Sequence, residues 1–162
     1  MNNKKKILIL IALIVVGVTL FLRIKEMSST SISLTSISKN QFLENFRLRK
    51  RFYNFSIFIA FNPDCEHCQY EAKSINERKR DFAVTNIVMF TEANDSLVKS
   101  FSKQYGLDSL KNVQVISDTT QKMDKVFEVK QIPTILIYNK NNELVKRYNG
   151  ETKIDAIIKY IQ

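Results

Sequence analysis

The chain has 162 residues, of which 44% are hydrophobic and 25% are charged. This composition predicts one packed domain with a short appendage and excludes an intrinsically disordered protein. The formal net charge is +9, but residues 1–39, with six Lys or Arg and one Glu, carry more than half of it. Because the excess charge is not concentrated in the remaining, folded part, we expect no nucleic-acid binding.

The N-terminal segment, residues 1–25, predicts a transmembrane anchor. Three lysines, Lys4 to Lys6, precede 16 residues, 7–22, that carry no charge. A spanning helix needs about 17–25 apolar residues, whereas a cleaved signal core has about 7–15. If Arg23 snorkels toward the headgroups, the apolar stretch extends to residue 24. No small-residue cleavage pattern follows, so an uncleaved anchor over residues 7–24 is favoured over a removed signal peptide.

The charge distribution predicts the orientation of this anchor. Lys4 to Lys6 should stay in the cytoplasm, which sends the rest of the chain across the cell membrane in a single pass. Residues 26–39, with six Ser and two Thr, predict a tether, although their alternation also permits a short edge strand. The domain that follows, residues 40–162, is therefore expected to be periplasmic or otherwise extracytoplasmic, where thiols tend to be oxidised.

In the first half of this domain, a helix is expected over residues 39–51, followed by a buried strand over Ser56–Phe61. Pro63 interrupts the strand, and Asp64 is the expected N-cap of a helix. One face of that helix is predicted to comprise Cys65, Cys68, Ala72, Ile75, Lys79 and Phe82. A second strand, Asn86–Phe90, precedes a helix whose apolar face is predicted to comprise Leu97, Val98, Phe101 and Tyr105.

The second half continues the alternation of strands and helices. A third strand is expected over Val113–Ile116 and a short helix around Met123, Val126 and Phe127. Strand Thr134–Tyr138 then leads through a turn into Glu143–Tyr148, and Ile154 to Ile161 form a closing amphipathic helix. The order βαβαβαββα predicts an α/β domain with a mixed central sheet, parallel at first and ending in an antiparallel hairpin.

Both cysteines, Cys65 and Cys68, lie where the first predicted strand passes into a helix, and His67 lies between them. A disulfide between them closes too short a loop to stabilise the fold appreciably. A structural zinc site needs four ligands, more than this segment's Cys and His supply, so no metal site is expected. Copper(I) can be held by two thiolates, and a domain that has lost its activity is also possible; both alternatives stay open.

Redox catalysis is the favoured interpretation of the pair. At a helix N-terminus, unpaired backbone N–H groups and the helix dipole favour the thiolate of Cys65. Cys68 lies one turn later, within reach of Cys65, so the pair can cycle between dithiol and disulfide. We therefore predict a thiol–disulfide oxidoreductase that needs no cofactor beyond its own Cys65–Cys68 disulfide.

The Cys-x-x-Cys helix, together with "IPT" at residues 132–134, resembles the thioredoxin fold. With the N-terminal anchor and "CEHCQYE", the chain most resembles membrane-tethered TlpA/ResA-like thiol–disulfide oxidoreductases. The resemblance implies a thioredoxin-like three-layer sandwich, preceded here by the transmembrane helix. It also implies an extracytoplasmic protein disulfide as substrate and a membrane thiol-carrier reductase as recharging partner.

The resemblance also assigns roles to individual residues. It makes Cys65 the attacking thiol, Cys68 the resolving thiol and Pro133 a cis-proline facing the disulfide. Ile132 and Thr134, on either side of that proline, are implied to bind the substrate. Glu71, three residues after Cys68, matches a glutamate that manages the proton of the buried thiol; the alternative is an exposed helix carboxylate.

Three residues beside the cysteines are expected to tune the redox potential. His67 favours the Cys65 thiolate and a more oxidising disulfide, whereas Asp64 and Glu66 oppose a nearby anion. Two acids against one histidine, together with the family resemblance, favour a reductant or isomerase. The chain departs from the family by having no tryptophan and by placing Asp64 before the first cysteine.

Overall fold

The computed structural model describes residues 17–19, which are helical, and residues 53–162. The anchor (apart from residues 17–19), the tether and the helix expected over residues 39–51 lie outside these ranges. None of the helices within the described ranges has the length and apolar character that crossing a bilayer requires.

Residues 53–162 contain the predicted alternation of strands and helices. The strands are β1 (Phe55–Ala60), β2 (Thr85–Thr91), β3 (Val113–Ser117), β4 (Thr134–Asn139) and β5 (Leu144–Asn149). The helices are α1 (Glu66–Glu77), α2 (Asp95–Gln104), α3 (Lys122–Val126) and α4 (Ile154–Ile158), with a 3₁₀ turn at Leu107–Ser109. Every predicted strand and helix of this range is confirmed, with boundaries that differ by one to a few residues.

The strands form one mixed sheet in the order β3-β2-β1-β4-β5. β1 lies at the centre, parallel to β2 and antiparallel to β4, and β4 is antiparallel to β5. The register places Ala60, the last residue of β1, opposite Thr134, which in turn lies opposite Asn149. The segments that follow β1, precede β4 and follow β5 therefore meet at one edge of the sheet.

Alternating side chains of the strands pack against helices on the two faces of the sheet. On one face, isoleucines of β1 and β4 join a core with Cys68 and Ala72 of α1 and Ile157 of α4. On the other face, the rings of Phe58, Phe90 and Tyr138 surround Phe127, which follows α3. The sheet is thus flanked by helices on both sides, as the sequence predicts.

Two details differ from the predicted helices. α1 ends at Glu77, so Phe82 reaches the core from the turn that follows rather than from the helical face. Leu97 of α2 was expected in the core but is 49% exposed, whereas Val98 and Phe101 are buried. The helix is too short to bury a wide face, and Leu97 is left at the surface.

Candidate functional site

The two cysteines lie where the central strand passes into α1. Cys65 is the N-cap residue, and its N–H donates to the carbonyl of Asn62 at 3.1 Å. The prediction that Asp64 caps the helix is therefore wrong by one residue. Asp64 belongs to the preceding turn, where its N–H donates to Oδ1 of Asn62 at 2.9 Å. The turn places the first sulfur at the helix N-terminus and the second one turn inside.

Cys65 and Cys68 are free thiols, hydrogen-bonded to each other, in unequal surroundings. Cys65 is half-buried, whereas Cys68 is fully buried. Burial raises the pKa of Cys68 to about 12, and the hydrogen bond to Cys65 and the charges of Cys65 and Glu71 add to the effect. Cys68 therefore holds its proton unless a base removes it.

Glu71 is completely buried, which rules out the exposed helix carboxylate as its description. Its Oε1 accepts the N–H of Thr152 at 3.2 Å, and its Oε2 has no hydrogen-bond partner among the described residues. Burial, and secondarily the charge of Glu151, raise the pKa of Glu71 to about 7, although the Thr152 hydrogen bond opposes the shift. A carboxyl group with such a pKa exchanges protons near neutral pH.

The segment Gly150–Thr152, which links β5 to α4, was not recognised as part of the site from the sequence. The N–H of Gly150 donates to the carbonyl of Pro133 at 2.7 Å. Two residues later, Thr152 binds Glu71. The signal that could have found it is Gly150 itself, because its φ of +89° is a conformation that favours glycine at the end of a strand.

His67 makes a contact with Glu151 that the sequence did not predict. Its Nδ1 lies 2.8 Å from Oε2 of Glu151, and both side chains are more than half exposed. The expected role of His67 was to stabilise the Cys65 thiolate, but its Nδ1 is directed to the β5–α4 segment instead. Glu66 is exposed in the first turn of α1.

The loop before β4 lies at the same edge of the sheet. The Ile132–Pro133 peptide bond is cis, which confirms that prediction. Ile132 is 41% exposed, so its backbone and side chain can meet a partner. Thr134, in contrast, is fully buried, and its hydroxyl donates to the carbonyl of Gln131 at 2.6 Å. Its hydroxyl is thus engaged inside the protein, and the expected contact of Thr134 with a substrate stays a prediction.

A groove of about 470 Å³ runs beside the dithiol turn and is lined by residues that include Asn62, Pro63, Asp64, Leu97, Asp124 and Ile132. Two apolar side chains, Leu97 and Ile132, are exposed in it. Burial, and then a hydrogen bond with Glu92, raise the pKa of Asp124 to about 6. Within the described residues, no group of three or more His, Cys, Asp or Glu side chains is arranged to hold a metal ion.

Comparison with known proteins agrees with this architecture. The thioredoxin family profile matches residues 89–162, a range that includes Pro133 but begins after the two cysteines. No curated protein matches the chain in sequence.

Several solved structures are similar. A secreted Mycobacterium tuberculosis disulfide oxidoreductase homologous to E. coli DsbE superposes with a TM-score of 0.58 at 17% identity, covering 67% of this chain and 80% of that one. StoA from Bacillus subtilis gives 0.56 at 17% identity, covering 70% and 86%. The Xanthomonas campestris bacterioferritin comigratory protein, described by its alkyl peroxide reduction activity, gives 0.56 at 12%, covering 67% and 78%. The chain therefore has a thioredoxin-like α/β fold.

Proposed function

We propose that the protein is a membrane-tethered, extracytoplasmic thiol–disulfide oxidoreductase that reduces or isomerises protein disulfides. The observation that carries this proposal is the asymmetry of the dithiol. Cys65 is accessible at a helix N-terminus, whereas Cys68 is buried beside a carboxyl group whose pKa is about 7. The similar structure from M. tuberculosis, described as a disulfide oxidoreductase, supports the same reaction class.

In the first step, the thiolate of Cys65 attacks one sulfur of a client disulfide. A Cys65–client bond forms, the client disulfide breaks, and one client thiolate leaves and takes a proton from water. The helix N-terminus favours the attacking anion, since four backbone N–H groups there have no partner within the helix. Ile132, exposed beside Pro133, is the residue we expect to contact the extended client chain.

In the second step, Cys68 resolves the mixed disulfide. Its thiol gives its proton to Glu71, and the resulting thiolate attacks Sγ of Cys65. The Cys65–Cys68 bond forms, the bond to the client breaks, and the client leaves as a thiolate that is protonated by water. Burial holds the proton on Cys68, so a nearby base is needed to remove it. Glu71 is close enough for its charge to act on the Cys68 thiol. The client gains two electrons and the protein is left oxidised.

A membrane thiol-carrier reductase then returns two electrons and two protons to the Cys65–Cys68 disulfide. We favour reduction or isomerisation of clients over oxidation. Asp64 and Glu66 lie beside Cys65 and disfavour an anion there, while His67, which would oppose them, is paired with Glu151. The membrane location is inferred from Lys4 to Lys6 and the apolar residues 7–24.

Trapping of the mixed disulfide tests the proposal. The full chain in detergent, carrying Cys68→Ala, is mixed with a peptide that contains one disulfide, and covalent adducts are identified by mass spectrometry without reductant. We expect the peptide to be attached at Cys65 and to be absent from a Cys65→Ser, Cys68→Ala double variant. An unmodified Cys65 would contradict the mechanism. Tight copper(I) binding by the reduced chain without disulfide turnover would instead favour a metal carrier.

A further inference from the structure

The Gly150–Thr152 segment connects the surface of the redox site to its interior. Glu151 faces outward and pairs with His67, the residue just before Cys68. The next residue, Thr152, is buried and donates its N–H to Glu71. Two consecutive residues thus make contacts on opposite sides of the backbone. Glu151 contacts His67 at the surface, and Thr152 contacts Glu71 in the interior.

The charge of Glu151 acts on a buried carboxyl group that has few hydrogen bonds. Oε1 of Glu71 receives only a backbone N–H, and Oε2 has no hydrogen-bond partner in residues 53–162. The titratable groups whose charges interact with Glu71 include Glu151 from the β5–α4 segment and Cys68 from its own helix. The carboxylate of Glu151, the residue just before Thr152, therefore repels the ionised form of Glu71.

His67 is the polar partner of Glu151 at the surface. When protonated, it offsets the negative charge that Glu71 experiences, because the two atoms of the pair are only 2.8 Å apart. His67 also lies between the cysteines in sequence, at the surface where a client sulfur must reach Cys65. A client that approaches Cys65 can therefore contact His67, and the charge of a protonated His67 also acts on the buried Glu71.

We propose that Glu151 is a positioning residue, and that its ion pair with His67 sets how readily Glu71 takes up the proton of Cys68. The proposal rests on the proposed function, since that proton is released when Cys68 resolves the mixed disulfide. Glu151 does not touch the reacting sulfurs; it acts through Glu71.

In this arrangement, substitutions of Glu151 and His67 shift the pKa of Glu71 in opposite directions. Glu151→Gln removes the repelling charge, so Glu71 ionises at lower pH. His67→Gln retains a hydrogen-bond donor for Glu151 but removes the imidazole, which carries a positive charge when protonated, so Glu71 should ionise at higher pH. In the double variant both charges are gone, so the Glu71 midpoint should lie between those of the two single variants. A merely structural role for the pair would shift both single variants in the same direction.

The experiment measures the titration of Glu71 directly in the reduced full chain in detergent, by ¹³C NMR of the labelled carboxyl carbon. We expect a midpoint lower by about 0.5 pH unit in Glu151→Gln and higher by a similar amount in His67→Gln, the scale of a partly exposed charge pair. The single-turnover rate of mixed-disulfide resolution should shift along the pH axis by the same amounts. Shifts of equal sign, no shifts, or midpoints that move without the rate profile would each overturn the proposal.

The control is a second exposed ion pair on α1. Nζ of Lys73 and Oε1 of Glu77 are 3.9 Å apart, and both side chains are more than half exposed. Lys73→Gln and Glu77→Gln should leave the Glu71 midpoint unchanged. If the wild-type chain resolves no mixed disulfide at any pH, the proposed function fails, while the NMR midpoints still decide whether His67 and Glu151 control Glu71.

Discussion

The two halves of the Cys65–Cys68 dithiol differ more than their spacing suggests. The outer half combines the half-buried Cys65 with the exposed His67 and is bordered by exposed charged side chains. The inner half, with Cys68 and Glu71, is completely buried. One helical turn thus separates a sulfur that can meet another protein from a sulfur that can meet only its neighbours.

This difference assigns the two chemical steps to two environments. Attack on a client needs access, which the outer half has. Resolution needs a proton acceptor within the buried site, which the inner half supplies through Glu71. The halves are joined by the Gly150–Thr152 segment, so the comparison can be tested by changing either half or the link between them.

The largest expected effect is a difference in thiol reactivity. With a pKa of about 12, Cys68 is ionised in roughly one molecule in ten thousand at pH 8. It is also 0% exposed. Iodoacetamide should therefore alkylate Cys65 at least ~10³-fold faster than Cys68 in the reduced native chain. Mass spectrometry of timed samples measures both rates.

Two controls separate environment from intrinsic reactivity. Unfolding in guanidinium should make the two cysteines react at similar rates, because both then have ordinary thiols. In the Cys65→Ser variant, Cys68 should still react slowly with iodoacetamide, although residue 65 can then carry no adduct that blocks the reagent. Rapid labelling of Cys68 in the native wild-type chain would show that the two halves are not different.

The next effect concerns Glu71. Glu71→Gln keeps the size and a hydrogen-bond acceptor for Thr152 but cannot take a proton. Because general base catalysis contributes about 10²–10⁴-fold, resolution of the mixed disulfide should slow by ~10²-fold. The wild-type rate should rise with pH through about 7, where Glu71 loses its proton, and the variant should lack this rise. Stopped-flow measurement from pH 5 to about 9 checks both, with Glu77→Gln as the exposed control on the same helix.

The raised pKa of Glu71 also predicts that the free energy of unfolding depends on pH. Its pKa is raised from 4.5 to about 7 in the folded chain, so the folded state binds this proton more tightly than the unfolded state. The stabilisation is complete below pH 4.5 and is lost as the pH rises through about 7, a change of about 3 kcal/mol. Urea unfolding of Glu71→Gln should show this dependence removed; a wild-type stability that increases from pH 5 to about 8 would contradict it.

The sequence predicted the outer half and the order of elements well, because these depend on local patterns. Apolar runs identify strands, and a proline after β1 marks the turn that carries Cys65. The burial of Glu71 could not be read in this way, because α1 presents Glu71 and Ala72 together and both are buried. Only the long-range packing of α4 and the β5–α4 segment decides that this carboxyl is enclosed.

The position of the Gly150–Thr152 segment could not be predicted either, because it depends on the register of β1, β4 and β5. Ala60, Thr134 and Asn149 lie side by side across three strands, and this alone brings Gly150 to Pro133. Local pattern gives the strands but not their alignment to the residue. Likewise, Leu97 fits the apolar spacing of α2, yet the sheet leaves it at the surface.

Gly150→Ala breaks the link at its first residue. An added Cβ would meet Nε2 of Gln131 at 3.2 Å, and the φ of +89° is strained for alanine, so we expect a loss of about 1–2 kcal/mol. Disulfide reduction should also fall, because the N–H of Gly150 supports Pro133 and the same segment binds Glu71. Urea unfolding and turnover of a peptide disulfide measure the two effects.

Gly106→Ala is the matched control. Gly106 has a φ of +66°, and a Cβ there would meet Nδ2 of Asn76 at 2.7 Å, so a comparable loss of stability is expected. It lies before the 3₁₀ turn, away from the cysteines in the chain. Turnover at a temperature where both variants are folded should fall only for Gly150→Ala. Equal losses of activity would mean that general destabilisation, rather than the link, is responsible.

The smallest expected effect belongs to the surface of the outer half. Leu97→Ser or Ile132→Ser removes an exposed apolar side chain from the groove beside the dithiol, and Leu144→Ser, on β5 and as exposed as Leu97, is the control. Since each groove side chain would be only partly covered by a client, a loss near 1 kcal/mol should raise KM for a peptide disulfide roughly 5-fold. The kcat should not change, because the reacting groups are untouched. If Leu144→Ser raises KM equally, the client contacts apolar surface without preference, and the groove does not direct it to Cys65.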